Sequence, residues 1–229
     1  MKTIGMIGGM SWESTQTYYR LINERINATL GGLHSAKMLL ASVDFAEIEE
    51  CQSKNAWDKA GAILADAAAR LEKAGADFVI VCTNTMHKVA PAIADQIKIP
   101  LIHIADATAE QLHEAHISKI GLLGTKYTMQ EDFYIGKLMK AGIDVLIPTP
   151  EDIEVVNSVI FNELCLGKVK EESRQNYLKI LHDMKNRGAE GIILGCTEIG
   201  MLIQQQHVAL PVFDTTIIHA QKAAEMALT

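Results

Sequence analysis

The chain has no apolar run approaching the roughly 18 residues that a membrane-spanning helix needs, so a membrane partner is not expected. Met1 leads straight into a strand-like run, without the charged region, apolar stretch and cleavage site of a secretory signal. It has no CxxC pair. Four cysteines stand apart at 51, 82, 165 and 196, which excludes the usual structural zinc spacings and a disulfide framework and fits a reducing cytoplasm. Eight histidines form no HExxH or HxxxH pattern, so no metal is expected. Basic residues are the minority, 21 against 28 acidic ones for a net charge of −7. Nucleic acid is therefore not an expected partner, because phosphate binding needs a concentrated basic face. The most basic stretch, 168–174, is interrupted by Glu171 and Glu172 and reads as a solvated helix surface.

What is present is an ordinary globular composition over 229 residues, enough for one large domain or two small ones. Strand and helix signals alternate. Residues 3–7 form a short apolar run ending in glycines, followed by a helical stretch over about 11–30. Residues 38–43 read as a strand, 58–74 as a helix and 77–81 as a buried strand; a helix from about Met86 and a strand over 101–104 complete the series. This alternation predicts an α/β protein with mostly parallel sheets covered by helices on both faces.

The order then repeats. Lys2-Thr-Ile-Gly-Met-Ile-Gly-Gly9 resembles Ser118-Lys-Ile-Gly-Leu-Leu-Gly-Thr125, and Tyr18 and Tyr134 follow at matching distance. Gly75-Ala-Asp-Phe-Val-Ile-Val-Cys-Thr-Asn84 lines up with Gly188-Ala-Glu-Gly-Ile-Ile-Leu-Gly-Cys-Thr197, and Ile99-Pro-Leu-Ile-His-Ile-Ala-Asp106 with Leu210-Pro-Val-Phe-Asp-Thr-Thr216. Three matches in one order predict two pseudo-symmetric α/β halves, 1–104 and 105–214, with a C-terminal helix over 215–229 packing back on the first. Ligands in open α/β sheets bind beyond the carboxyl ends of the strands. The expected active site is thus a cleft between the halves, where matched strand ends meet.

At those ends the alignment pairs Thr83 with Cys196 and Cys82 with Gly195. Asn84 and Thr85 follow in one half, Thr197 and Glu198 in the other. Polar residues between an apolar strand and a helix offer backbone N–H groups and side chains to a carboxylate. Gly8 and Gly9, followed by Met10 and Ser11, form a third such turn; their GxxGG pattern is not the dinucleotide fingerprint. Thr125 and Thr128 are candidates for the same carboxylate or for capping a helix, and Gln52 for a substrate side chain. Glu198 could orient a group near Cys196, bind an ammonium or simply begin a helix, and His87 could orient the site or cap and pack. The WES and QTYY residues, 12–19, could floor a pocket or join the core, while Cys51 and Cys165 are most simply buried thiols.

GGMSWEST near the N-terminus, CTNTMH at 82–87 and GCTE at 195–198 resemble the aspartate/glutamate racemase family over essentially the whole chain. The resemblance implies inversion at Cα of an amino acid without pyridoxal phosphate or another cofactor, in a protein that is commonly a homodimer. It also implies two cysteines on opposite faces of the substrate, one taking the α-proton and the other returning one. Such chemistry needs a thiolate whose pKa is lowered by a helix N-terminus or a cation, and donors for the developing enolate charge. Asn84, Thr85 and Thr197 are the candidate donors.

The family's first cysteine is replaced here by Thr83, whose hydroxyl cannot ionise usefully near neutral pH. Neighbouring strand residues point to opposite faces, so Cys82 should lie buried behind Thr83. The expectation is a one-thiol racemase converting L-aspartate or L-glutamate to the D form, with slower turnover from the D enantiomer. The resemblance makes Cys196 the base for the L enantiomer. Neither Gln52 nor Cys165, at the positions for a side-chain carboxylate, is the cation that such a group needs, although Lys168 or Lys54 could substitute. A racemase of neutral polar amino acids such as homoserine is the alternative, as is a cysteine-dependent isomerase or decarboxylase of the same architecture. A non-catalytic binder of small carboxylates is a third reading.

Overall fold

Two four-stranded sheets, every neighbouring pair parallel, organise the computed structural model, which describes residues 1–229. The first has β1 (Ile4–Gly8), β2 (Met38–Ser42), β3 (Phe78–Val81) and β4 (Leu101–Ile102) in the order β2-β1-β3-β4. The second has β5 (Lys119–Gly124), β6 (Asp144–Leu146), β7 (Gly191–Gly195) and β8 (Val212–Asp214) in the order β6-β5-β7-β8. The α/β class expected from the alternation is what forms, with one strand order used twice.

Helices α1 (Trp12–Leu30), α2 (Phe45–Ser53), α3 (Trp57–Lys73) and α4 (Ala90–Ala94) connect the first four strands. After β4 come α5 (Ile104–Glu114), α6 (Lys126–Gln130), α7 (Asp132–Lys140), α8 (Pro150–Asn162), α9 (Glu171–Asn186) and α10 (Ile199–Leu202), and α11 (Thr215–Leu228) follows β8. Ser11 starts α1 where the sequence places it, its side chain accepting from the Ser14 N–H at 3.2 Å. Thr149 caps α8 in the same way, with Pro150 at the first position, where a missing N–H costs nothing.

By contacts the chain forms two units, Met1–Ile104 with Thr216–Thr229, and Ala105–Thr215. In the first unit, side chains alternate along and just past β3. Phe78, Ile80 and Cys82 pack with Tyr18, Ile22 and Ile26 of α1 and with Ala220, Ala223, Ala224 and Ala227 of α11. Val79 and Val81 face the other way, toward Ile48, Leu64, Ala67 and Ala68. Each fully buried Ile, Leu or Phe contributes about 1.5–3 kcal/mol, so the alternation commits the strand to one register.

The helices after β4 and β8 are exchanged. The strand β4 ends the first unit's sheet, yet α5 belongs to the second unit; β8 ends the second sheet, yet α11 belongs to the first. The two tyrosines paired by the repeat each bond to one of these helices. Tyr18 donates its hydroxyl to Nδ1 of His219 on α11 at 2.9 Å, and Tyr134 donates to the Thr108 hydroxyl on α5 at 3.3 Å.

Two sequence expectations change at this level. In place of a helix from about Met86 there is a 3-10 turn, Thr85–Val89, before the short α4. Pro91 has no N–H to extend that turn into a longer α-helix and fits only at a helix start. The strand over 101–104 stops at Ile102, because Ile104 opens α5 and gives its N–H to Nε2 of His87 at 3.2 Å.

His219 is fully buried, and its Nε2 donates to the Ile102 carbonyl at 3.0 Å, so the ring is neutral with Nδ1 left to accept from Tyr18. Burial first, and nearby His87 second, push its pKa down from the ordinary 6.5 to about 3. The unfolded chain binds a proton at this site below about pH 6.5 and the folded chain only near pH 3. Stability should therefore fall on acidification through that window, by a few kcal/mol in total. Denaturant titrations at several pH values check this against His219→Gln, in which the acid dependence should flatten; equal slopes for the two proteins would refute it.

Candidate active site

The first unit's strand end is built around Thr83. Cys82 is fully buried against α1 and α11, as pleat alternation requires, and Thr83 next to it is half-buried. Burial also pushes the Cys82 thiol far up, so it offers no thiolate in place of the missing one. The Ser14 hydroxyl donates to the Cys82 carbonyl at 2.8 Å, and the Thr15 hydroxyl accepts the Gly9 N–H at 2.9 Å. Gly9 has φ +95°, and a side chain there would collide with the Val43 carbonyl, so only glycine makes this turn. Met10, Asn84, Thr85 and His87 are buried beside it. Nδ1 of His87 donates to the Thr83 carbonyl at 2.8 Å. Gln52 is also buried, with its amide directed to the Met86 sulfur at 3.1 Å.

The second unit's strand end is built around Cys196. Gly124 and Gly195 are register partners on β5 and β7, and Thr128 packs over both; a side chain at either glycine would come within about 3.2 Å of it. Thr125 caps α6 by accepting from the Thr128 N–H at 3.4 Å, and the two hydroxyls lie 3.2 Å apart. The structure thus brings Thr125 and Thr128 to the end of the strand that delivers Cys196. Half-buried Thr197 and Glu198 follow it directly.

The thiol of Cys196 donates to Oε2 of Glu198 at 2.9 Å. Burial, then the Glu198 carboxylate and this hydrogen bond, then Cys165, hold the Cys196 thiol well above its ordinary value; the Glu198 N–H opposes them weakly. This reverses the expectation of a thiolate favoured by a cation or a helix N-terminus. No cation acts on the sulfur, and α10, which follows it, is only four residues long. The Cys196 thiol is therefore held in its protonated form, donating to the Glu198 side chain.

Two other expectations hold in part, and Cys51 is buried as expected. Trp12 and Tyr19 are 65 % and 59 % exposed, so neither joins the core; from that stretch Ser14, Thr15 and Tyr18 are buried instead. Cys165 is half-buried, not buried, because Leu164 takes the inward position of its 3-10 turn. Its electrostatic influence on Cys196 makes it part of the surroundings of that thiol. Sequence reasoning missed His103 and His219. His103 is buried with its ring centroid 4.6 Å from that of His87 and 5.6 Å separates His87 from His219; burial of three histidines behind one strand end has no signature in a linear pattern.

Comparison with known proteins gives the following. A family model described as Asp/Glu/Hydantoin racemase matches residues 7–223. A candidate Asp/Glu racemase from Yersinia pestis is 54 % identical, with a TM-score of 0.96 and full coverage of both chains. An aspartate racemase homologue from Pyrococcus horikoshii is 36 % identical, with a TM-score of 0.88 and again full coverage of both. The broad specificity amino-acid racemase RacX of Bacillus subtilis is 25 % identical over 71 % of this chain and 70 % of its own length.

Proposed function

Because the chain belongs to the Asp/Glu/hydantoin racemase family, whose amino-acid racemases work without a cofactor, we propose that it inverts L-aspartate or L-glutamate at Cα, with Cys196 as base and Thr83 opposite. The observation that carries this reading is the hydrogen bond from the Cys196 thiol to the Glu198 carboxylate. It gives the thiol proton somewhere to go.

The proposed cycle begins when Glu198 takes that proton and leaves a thiolate. The thiolate removes the α-proton of the L enantiomer, and the electron pair is delocalised into the substrate carboxylate. Donors from Thr125, Thr128 and Thr197, with Asn84 and Thr85, would meet the charge that develops there. Thr83 delivers a proton to the other face through its hydroxyl and regains one from water. The hydroxide so formed takes the proton held by Glu198, and the protein ends with a protonated thiol, an ionised Glu198 and an unchanged Thr83.

Glu198→Gln removes the base that would take the thiol proton and the charge that raises the thiol pKa, while its amide oxygen can still accept the hydrogen bond. The expected result is a loss of about 10²-fold in kcat, the usual worth of a positioned general base. The alkaline rise of kcat/KM should also move to lower pH. A profile left in place, measured from pH 6 to 10, would separate Glu198 from the ionisation of Cys196.

One observation favours a second substrate class. Gln52 is a buried amide engaged with Met86, Cys165 is a thiol, and Lys54 is an exposed residue paired with Glu50. No cation stands at the positions expected to receive a side-chain carboxylate, and burying that group unpaired is costly. A neutral polar side chain such as that of homoserine fits those residues without that cost. L- and D-aspartate, glutamate and homoserine, each incubated in deuterated water without cofactor, test the whole reading. Deuterium at Cα and a change of chirality support it; binding without exchange would make the chain a carboxylate-binding protein.

A further inference from the structure

We infer that His87 is a positioning residue for Thr83, so that it governs inversion and leaves proton removal by Cys196 to proceed; the inference rests on the role proposed for Thr83. His87 is 1 % exposed and stands four residues after Thr83, on the 3-10 turn that replaces the expected helix. Its two ring nitrogens have different tasks. Nδ1 lies 2.8 Å from the Thr83 carbonyl, which can only accept, so Nδ1 carries the proton. Nε2 must then accept, and it does so from the Ile104 N–H at 3.2 Å.

The neutral ring therefore ties the end of β3 to the first residue of α5. Behind it His219 makes the parallel link, accepting from Tyr18 and donating to the Ile102 carbonyl two residues before Ile104. His103 packs its ring against His87 from between those two anchor points. Thr83 is only half-buried and sits where the strand ladder has ended, so the ladder no longer fixes it. Cys82 before it is held by Ile7 and Ser14, and the bond from His87 holds the Thr83 carbonyl, fixing the backbone from which its hydroxyl projects. Proton delivery tolerates little displacement: an error of about 1 Å costs on the order of 10²-fold.

The reaction offers a readout that a loss of fold would not move. From the L enantiomer in deuterated water, the carbanion has two fates: deuteration from the Cys196 side returns L-substrate labelled at Cα, and protonation from the Thr83 side gives the D form. The ratio of inversion to exchange with retention depends on Thr83 and is independent of the amount of active protein. In His87→Gln the amide can reach Ile104 but not the Thr83 carbonyl; in His87→Asn it can still donate to that carbonyl. The ratio should fall about tenfold in His87→Gln and stay within about threefold of the parent in His87→Asn.

Thr83→Val is the control. A lowered ratio in Thr83→Val with a parental ratio in His87→Gln would overturn the role of His87 alone. A parental ratio in both would overturn the role of Thr83 itself. Equal losses of inversion and exchange in His87→Gln would reduce His87 to a structural residue.

Discussion

Cys196→Ala is expected to stop deuterium entering Cα of every L-amino acid that the protein accepts. The fall should be about 10⁴-fold or more, because no other group at that strand end can ionise and reach the α-proton. Glu198 is a carboxylate, far too weak a base for that carbon acid, and Cys165 lies on a separate turn. Cys196→Ser tests the same point at nearly constant volume, since a serine hydroxyl beside Glu198 ionises much less readily than a thiol. The measurement is proton loss at Cα by nuclear magnetic resonance, alongside circular dichroism to confirm that both variants fold. Exchange within tenfold of the parent would put the base elsewhere and remove Cys196 from the mechanism.

Thr83→Cys should have the opposite effect. Exchange with retention at Cα of the D enantiomer should rise by about 10²-fold or more, as a thiolate replaces a hydroxyl that does not ionise near neutral pH. Two enantiomers have equal free energies in water, so kcat/KM must be the same in both directions for any variant. The asymmetry of a one-thiol site therefore belongs in proton exchange and in kcat at saturation. An assay of kcat/KM alone would see a symmetric enzyme. Isotope exchange on each enantiomer separately resolves the two faces. No increase on the D side in a folded Thr83→Cys protein would show that this position does not confront the substrate.

Much of this was legible in the residues because the chain states its plan twice. The matched Gly-rich strands predicted a parallel α/β fold, and the sheets share one strand order. Strand pleating gave the burial of Cys82 from its place beside Thr83. What stayed hidden was whatever depends on partners distant in sequence. Tyr18 and His219 are 201 residues apart, and nothing local marks either as the other's partner. The state of Cys196 was misjudged for a related reason. A strand followed by polar residues suggests a helix N-terminus that stabilises an anion, but here a four-residue helix contributes little and the Glu198 side chain folds back onto the sulfur. Composition could not reveal that the same glutamate raises the thiol pKa and accepts the thiol's hydrogen bond.

The exchanged helices also bear on how the chain comes to be folded. Its N-terminal sheet packs one face against α1 and α11, yet α11 is encoded beyond the whole second unit. During synthesis residues 1–104 therefore emerge with apolar side chains of β1 and β3 lacking the part of their cover that α11 supplies. They must wait for Ala220, Ala223, Ala224 and Ala227 to leave the ribosome. Closing that contact spans nearly the entire polypeptide, which places it among the slow steps that long-range topology imposes. The N-terminal sheet is thus completed only after α11 has been made.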